Sequence, residues 1–306
     1  MRALIVNGDD FGLTPGINAG IVDAHLRGIL TSASLFANAP STDDAIALAR
    51  VTPTLAVGCH ITLVDGRPVL PASSLPTLAP GGAFRPTWRA FVRDAVVRRI
   101  RLDEIEREVA AQVDRLLDAG IRLSHLDSHK HVHAYPPVFA VVARLARRIG
   151  VHTVRVPCER PDFAALRLLS GQRAARRQAL ENLALVPWSA RDRAILRSCR
   201  LPPAPMFLGR VETGLFTPES FRVALTRLRD GTSELMMHPG YQDEALASVH
   251  TRLRQERASE LAILIDPATR ACLTAAGIVL TRPDGRDRSG WRRTVATAFA
   301  ERNTHV

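Results

Sequence analysis

Four of the ten histidines fall within nine positions, in the stretch HLDSHKHVH from His125 to His133, with Asp127 among them. Imidazoles and a carboxylate at alternating positions are the donors that a metal centre or an acid–base site needs. If the stretch is a strand that ends near Ser128, Asp127 and His129 share one of its faces. His131 and His133 then carry the alternation into the following loop. Three other places offer matching chemistry. The first is NGDDFG, from Asn7 to Gly12, where Asp9 and Asp10 are adjacent. Neighbouring carboxylates repel, and a cation or a proton must compensate them. One carboxylate on a metal with its neighbour as general base is one solution. An Asp that caps the next helix, with the other in solvent, is the plainer one. The second is His60 in the apolar run VGCHITL, which alone reads as a satisfied core histidine and gains meaning only from company. The third is His238 in MMHPGY. It would protonate a leaving amine or hold a developing oxyanion, or else it is a buried turn histidine.

Taken together, Asp10, His60 and His129 supply one carboxylate and two imidazoles. That set suits a divalent metal, magnesium or zinc, with positions left for water and substrate. Asp127, His131 and His133 would orient ligand rings or touch substrate. Asn38 and Arg155 extend the polar set.

These residues need a scaffold that brings distant positions to one place. Short β-like runs (Ala3 to Val6, Ser32 to Ala37, LAVGCHITL, SHLDSH, HTVRVP, ELMMHP and IVLT) alternate with helical ones, including helices expected around Trp88 to Ile100 and Leu102 to Ala119. Such alternation implies an α/β fold with a parallel sheet. Its repetition implies a single TIM-barrel-like (β/α) barrel of seven or eight strands. Asp9, Asp10, Asn38, His60, Asp127, His129, Arg155 and His238 all follow or end strands, so a barrel would gather them on one rim. The expected organisation is one barrel domain over residues 1–281 and a basic polar tail over 282–306.

With 306 residues and 46% hydrophobic content, the chain can bury a large core. Its formal net charge of +11 favours an anionic partner or reflects an arginine-rich coding bias. Acids interrupt the arginine clusters, aromatics are 5%, and no nucleic-acid motif accompanies them, so a nucleic-acid binder is set aside. Cys59, Cys158, Cys199 and Cys272 form no CxxC, which points to a reduced, cytoplasmic setting. The amino-terminal apolar run is too short for a signal peptide. No run approaches the roughly 18 apolar residues of a membrane span.

NGDDFG, GILTSAS, GCH, HLDSHKHVH and MMHPGY, in this order, resemble the YdjC-like carbohydrate deacetylases across about residues 3 to 281. The resemblance implies a variant (β/α) barrel that removes acetyl groups from N-acetylated sugars with a divalent metal. It puts the ligands on Asp10, His60 and His129 and the base on Asp9. NGDDFGLTPGIN, LVDGRPVLP and ELMMHPG resemble more closely the hopanoid-biosynthesis-associated, HpnK-type branch. That implies an N-acetylglucosaminyl hopanoid as substrate. The chain departs from the branch at Cys59 and in the basic tail. The loop LVDGRPVLP is expected over the rim, where Val64, Val69 and Leu70 would suit a lipid or would simply pack the loop down. A glycolipid substrate implies peripheral contact with the inner face of the membrane, which the arginines would favour. A homo-oligomer is compatible with the composition. Two alternatives stand beside this reading: a diacetylchitobiose or chitooligosaccharide deacetylase, and a non-haem iron oxygenase built on a facial triad. An anaerobic assay separates the oxygenase from either hydrolase.

Overall fold

The first apolar run becomes a ten-residue strand, β1 (Arg2–Phe11), in the computed structural model, which describes residues 1–160 and 172–285. It is buried without interruption from Leu4 to Phe11. Continuous burial marks a parallel strand covered on both faces, because the crossovers between parallel strands lay helices against the sheet. The strands β2 (Ser32–Leu35), β3 (Ala56–Ile61), β4 (Leu123–Ser128), β5 (Thr153–Val154), β6 (Met206–Leu208) and β7 (Gly231–Met237) join it in the order β5-β4-β3-β2-β1-β7-β6. Every pairing is parallel. A short β8 (Ile278–Leu280) pairs with Arg2–Leu4, on the edge of β1 that β2 occupies from Asn7 onward.

The sheet is strongly curled. Strands lie about 4.8 Å apart, so β5 and β7, five places apart in the order, would be about 24 Å apart if flat. Yet Arg155, directly after β5, bonds Glu234 of β7 at 2.7 Å and Asp9 of β1 at 2.8 Å. Only a sheet rolled toward a barrel allows one side chain to reach both. Among the described residues no ladder joins β5 to β6, so the sheet is a half-barrel. Polar side chains bridge its seam. Glu159, after β5, accepts backbone N–H groups from Arg210 and Val211, after β6, and takes Arg227 Nη2 at 2.7 Å.

The helices expected around Trp88 to Ile100 and Leu102 to Ala119 form, the first ending at Val96, whereas β6 and the helices after it were not expected. α1 (Pro15–Leu26) starts with a Thr14 cap and a proline in its first turn. α2 (Thr42–Val51), α3 (Trp88–Val96), α4 (Leu102–Asp118) and α5 (Pro136–Arg148) follow. An arginine-rich insertion between β5 and β6 contains α6 (Arg173–Ala184) and α7 (Val186–Ser198). Its part over 161–171 lies outside the described residues. The last helices are α8 (Pro218–Thr226), α9 (Glu244–Ser248), α10 (Gln255–Ile265) and α11 (Pro267–Ala275). The start of the expected tail is tied to the barrel, since Arg282 bonds the Thr54 carbonyl and Pro283 accepts from Thr153. Its remainder, 286–306, lies outside the described residues.

The rolled interior is polar. Asn7 and Ser34 meet at 2.8 Å, and Ser32 donates to Asn7 at 2.6 Å. His125 lies between Ser34 (3.1 Å) and Ser124 (2.9 Å). The ring has room because position 58 is glycine. A Cβ there would fall 2.4–2.5 Å from three atoms of the His125 ring. Gly58→Ala is therefore expected to cost about 1–3 kcal/mol, the usual cost of overpacking. The denaturant midpoint reads this, and adding His125→Ala should restore part of the loss.

Candidate active site

At the end of β1 two adjacent carboxylates must face one cleft, although neighbours on a strand point to opposite faces. The chain resolves this with an irregularity. The β1–β2 register slips between Gly8 and Phe11, and Asp10 takes a left-handed φ of 70°. Aspartate tolerates this region better than most residues. Asp9 then points toward Arg155, and Asp10 points toward the histidines.

His60 and Asp127 are register partners on β3 and β4. His60 Nδ1 donates to Asp127 Oδ1 at 2.7 Å, which leaves Nε2 turned toward Asp10 Oδ1, 3.6 Å away. Burial pulls the His60 pKa down, but the charge and hydrogen bond of Asp127, with Asp9 and Asp10 behind them, raise it overall. His129 follows β4 directly and places Nδ1 3.3 Å from the same Asp10 oxygen. Phe36 packs edge-on against both imidazoles, with centroids at 4.8 and 5.3 Å. The other Asp10 oxygen takes Arg257 Nη2 at 2.6 Å. Burial opposes ionisation of Asp10, yet Arg257 and His129 hold its carboxyl well below the usual range.

Below this trio Arg155, 1% exposed, is surrounded by carboxylates. It grips Asp9 in two places, at 2.8 and 2.9 Å, and meets Asp127 Oδ2 at 2.6 Å and Glu234 at 2.7 Å. Asp9 also accepts from Asn7 at 2.8 Å, and Asp127 from Ser34 at 2.8 Å. Burial pushes Glu234 up to about 7 against the pull of Arg155.

Two sets of donors are close enough to hold an ion, each with its donor atoms within 4.8 Å: Asp10, His60 and His129, and Asp9, His60 and Asp127. The guanidinium of Arg155 already occupies the second set, bonding both of its carboxylates. The first fits a divalent ion. It joins one carboxylate oxygen and two imidazole nitrogens, with the His60 tautomer set by a carboxylate behind the ring. It opens on a cleft of about 690 Å³ whose lining also includes Asp9, Asn38, His131 and His238.

The alternation expected beyond His129 does not continue. The chain enters a 3₁₀ turn over His129–Ala134, with Lys130 and His131 at φ of 52° and 54°. His131 still reaches the cleft, edge-on to Phe207. His133 is turned inward instead. It bonds Ser128 Oγ at 2.6 Å and the Arg155 carbonyl at 2.9 Å, and it stacks on Phe139. It is a strut under the rim and does not line the cleft. Asp127 and Arg155 likewise lie beneath the cleft, against His60 and Asp9. Asn38 donates to the Arg67 carbonyl at 2.7 Å. The backbone N–H of His238 is fixed by Glu260 at 2.6 Å, and its Nδ1 is buried without a partner. Burial pushes its pKa down to about 4, so the ring is neutral at neutral pH.

The apolar residues of LVDGRPVLP are packed down. Val64 is fully buried, and Val69 and Leu70 lie against the core with their amides donated to Glu108. The packing alternative therefore describes this loop. The sequence reading did not single out Arg257, Glu260, Asn7 or Ser34. Asn7 had a signal, because it shares strand parity with Asp9. Arg257 had none, being one arginine among many and 247 residues from its partner.

A curled parallel (β/α) sheet that gathers carboxylates and imidazoles at the carboxyl ends of its strands defines an α/β-barrel enzyme. The chain belongs to the YdjC-like protein family, whose model matches residues 3–275. It is 34% identical over 280 residues to a carbohydrate deacetylase of Geobacillus stearothermophilus, a match covering 91% of this chain and 96% of that one. It is 42% identical over 152 residues to a chitooligosaccharide deacetylase of Salmonella typhimurium, covering 49% and 58% of the two chains. Its fold is similar to a solved Enterococcus faecalis V583 protein whose name assigns it, provisionally, to cellobiose-phosphate cleavage. That likeness has a TM-score of 0.71 and 24% identity over 92% of this chain and 98% of the other.

Arg155→Met should leave Asp9, Asp127 and Glu234 as uncompensated buried acids and cost about 3–5 kcal/mol, read by urea unfolding. Arg155→Lys should recover only part, since an ammonium cannot grip Asp9 in two places.

Proposed function

We propose that this chain is a metal-dependent deacetylase that hydrolyses the acetamide of an N-acetylglucosaminyl substrate. The observation that carries the reading is the separation of two adjacent carboxylates, Asp10 facing two imidazoles and Asp9 bound to a guanidinium. The names of the relatives supply the substrate class. A divalent ion held by Asp10 Oδ1, His60 Nε2 and His129 Nδ1 would polarise the acetamide carbonyl and acidify water. Two imidazoles suit zinc better than magnesium, which prefers oxygen ligands.

The chain's own residues do the rest. Asp127 fixes the His60 tautomer, and Arg257 occupies the Asp10 oxygen that does not face the histidines. Asp9 is the base. Its Oδ1 accepts from both Asn7 and Arg155, whereas Oδ2 accepts from Arg155. Oδ2 thus keeps a lone pair for the proton of attacking water. As the carbonyl carbon–nitrogen bond breaks, that proton passes to the departing amine. His238, neutral at rest, offers an N–H to the developing oxyanion rather than a proton from an imidazolium.

Within this class we assign an N-acetylglucosaminyl hopanoid, met at the inner face of the membrane from the cytoplasm. The motifs shared with the HpnK-type branch support this, as does the +11 net charge. The packed Val64, Val69 and Leu70 no longer do. The 42% identity to the Salmonella enzyme favours a second reading, a chitooligosaccharide deacetylase. The named relatives give the oxygenase reading no support.

Acetate release should vanish on dialysis against chelator and return with added zinc; full turnover by metal-free protein refutes the metal. Asp9→Asn should keep its metal content while kcat falls about a hundredfold or more, the scale of general-base help. Metal lost together with activity would mean that the aspartate roles are reversed. For the substrate, kcat/KM should be much higher for the N-acetylglucosaminyl hopanoid than for diacetylchitobiose. Equal values, or a preference for chitobiose, select the second reading.

A further inference from the structure

A surface helix normally turns its apolar stripe to the core and its polar residues to water. α6 does the reverse. Its buried positions are Ala175, Gln178 and Asn182. Gln178 donates to the Thr213 carbonyl, and Asn182 bonds both the N–H and the C=O of Glu159. Its outward positions include Leu180 and Leu183, 68% and 56% exposed, and Val186 follows at 41%. The amides hold the helix to the barrel, so the leucines are not needed for that attachment.

The outward stripe has a second character. Arg173 and Arg176 stand seven and four residues before Leu180, on the same face, and both are exposed. Residues 172–200 carry seven arginines against Glu181 and Asp192, a net +5. Asp192 is fully buried, so it offsets little of this charge at the surface. A third side of the same helix, through Arg177 and Glu181, lines the cleft. Whatever receives the leucines therefore sits at the cleft mouth.

We propose that this face of α6 docks the enzyme on an anionic lipid bilayer, with Leu180 and Leu183 entering the interface and Arg173 and Arg176 meeting lipid phosphates. Exposed leucines flanked by arginines have the chemistry of an interfacial amphipathic helix, in which apolar burial and attraction to anionic headgroups add. No helix among the described residues is long and apolar enough to cross a membrane, so the contact is peripheral for them. Docking here would turn the cleft toward a sugar whose anchor stays in the bilayer. The inference rests on the lipid-linked form of the function proposed above.

The test is cosedimentation of the full chain with phosphatidylcholine vesicles, with and without phosphatidylglycerol, at physiological salt. Wild type should pellet with the anionic vesicles. The charge-neutral variant L180S/L183S should bind about tenfold more weakly or worse, given what two buried leucines contribute. Its circular dichroism and its turnover of soluble diacetylchitobiose should not change. R173E/R176E should lose the dependence on phosphatidylglycerol. Absent wild-type binding, or a leucine variant that binds like wild type, overturns the proposal. Self-association that L180S/L183S abolishes, seen by sedimentation velocity without vesicle binding, would give the face to a second copy and also overturn it. Vesicle binding that follows the variants, with no acetate released from glycolipid, keeps the docking face and removes the lipid substrate.

Discussion

A buried guanidinium is the interaction on which the centre of this barrel depends. Asp9, Asp127 and Glu234 come from three strands and meet inside the rolled sheet at 5% exposure or less. Unpaired, such acids would give up their charge or unfold the sheet. Arg155 answers with a planar fork whose N–H groups reach all three. Its own pKa is opposed by burial but driven well above the ordinary value by Asp127, Asp9 and Glu234. Burial pushes Glu234 up to about 7, and Asp127, Asp9 and Asp10 raise the proton affinity of His60 against the pull of burial. The backbone of Arg155 is held on both sides, its N–H by the Leu126 carbonyl of β4 and its C=O by the ring of His133.

From that centre the geometry of the rim follows. Ser34 and Arg155 fix Asp127, Asp127 fixes the ring of His60, and His60 faces Asp10. Each link orients the next, so the donor trio is set from below by the protein's own groups. Two backbone irregularities complete it. The left-handed Asp10 lets adjacent carboxylates serve different neighbours. The left-handed pair Lys130–His131 ends the histidine alternation, sending His131 to the cleft and His133 under Arg155. Non-glycine residues in this region cost about 1–3 kcal/mol each and persist where the surroundings enforce them. Here both irregularities occur beside the donor trio.

The half-open form of the sheet has a counterpart in the insertion that covers its seam. Glu159 and Asn182 join the end of β5 to α6, and Glu159 also joins it to the loop after β6. The work done elsewhere by strand pairing is done here by side chains. A helix held by amides has its apolar residues left for another surface. The same helix forms part of the cleft wall, so closing the seam and shaping the entrance are one structural task.

The sequence by itself determined the α/β class, every strand but β6, the helices α3 and α4, and the carboxylate and imidazoles of Asp10, His60 and His129 as candidate donors. These are local properties. Apolar runs, helical periodicity, Asp9–Asp10 and the spacing of His125 to His133 are all visible without coordinates, and strand parity alone puts Asp127 and His129 on one face. Tertiary structure decided what depends on closure and on backbone geometry. It decided that the sheet stops at a half-barrel, because among the described residues side chains and not a ladder span β5 and β6. It separated Asp9 from Asp10 through a register slip that no residue type announces. It selected Arg257 from an arginine-rich chain, since only folding brings position 257 to position 10. It also packed Val64, Val69 and Leu70 inward while leaving Leu180 and Leu183 outside. Hydrophobicity is written in the residue, but whether a residue meets core or solvent depends on what the rest of the chain lays against it.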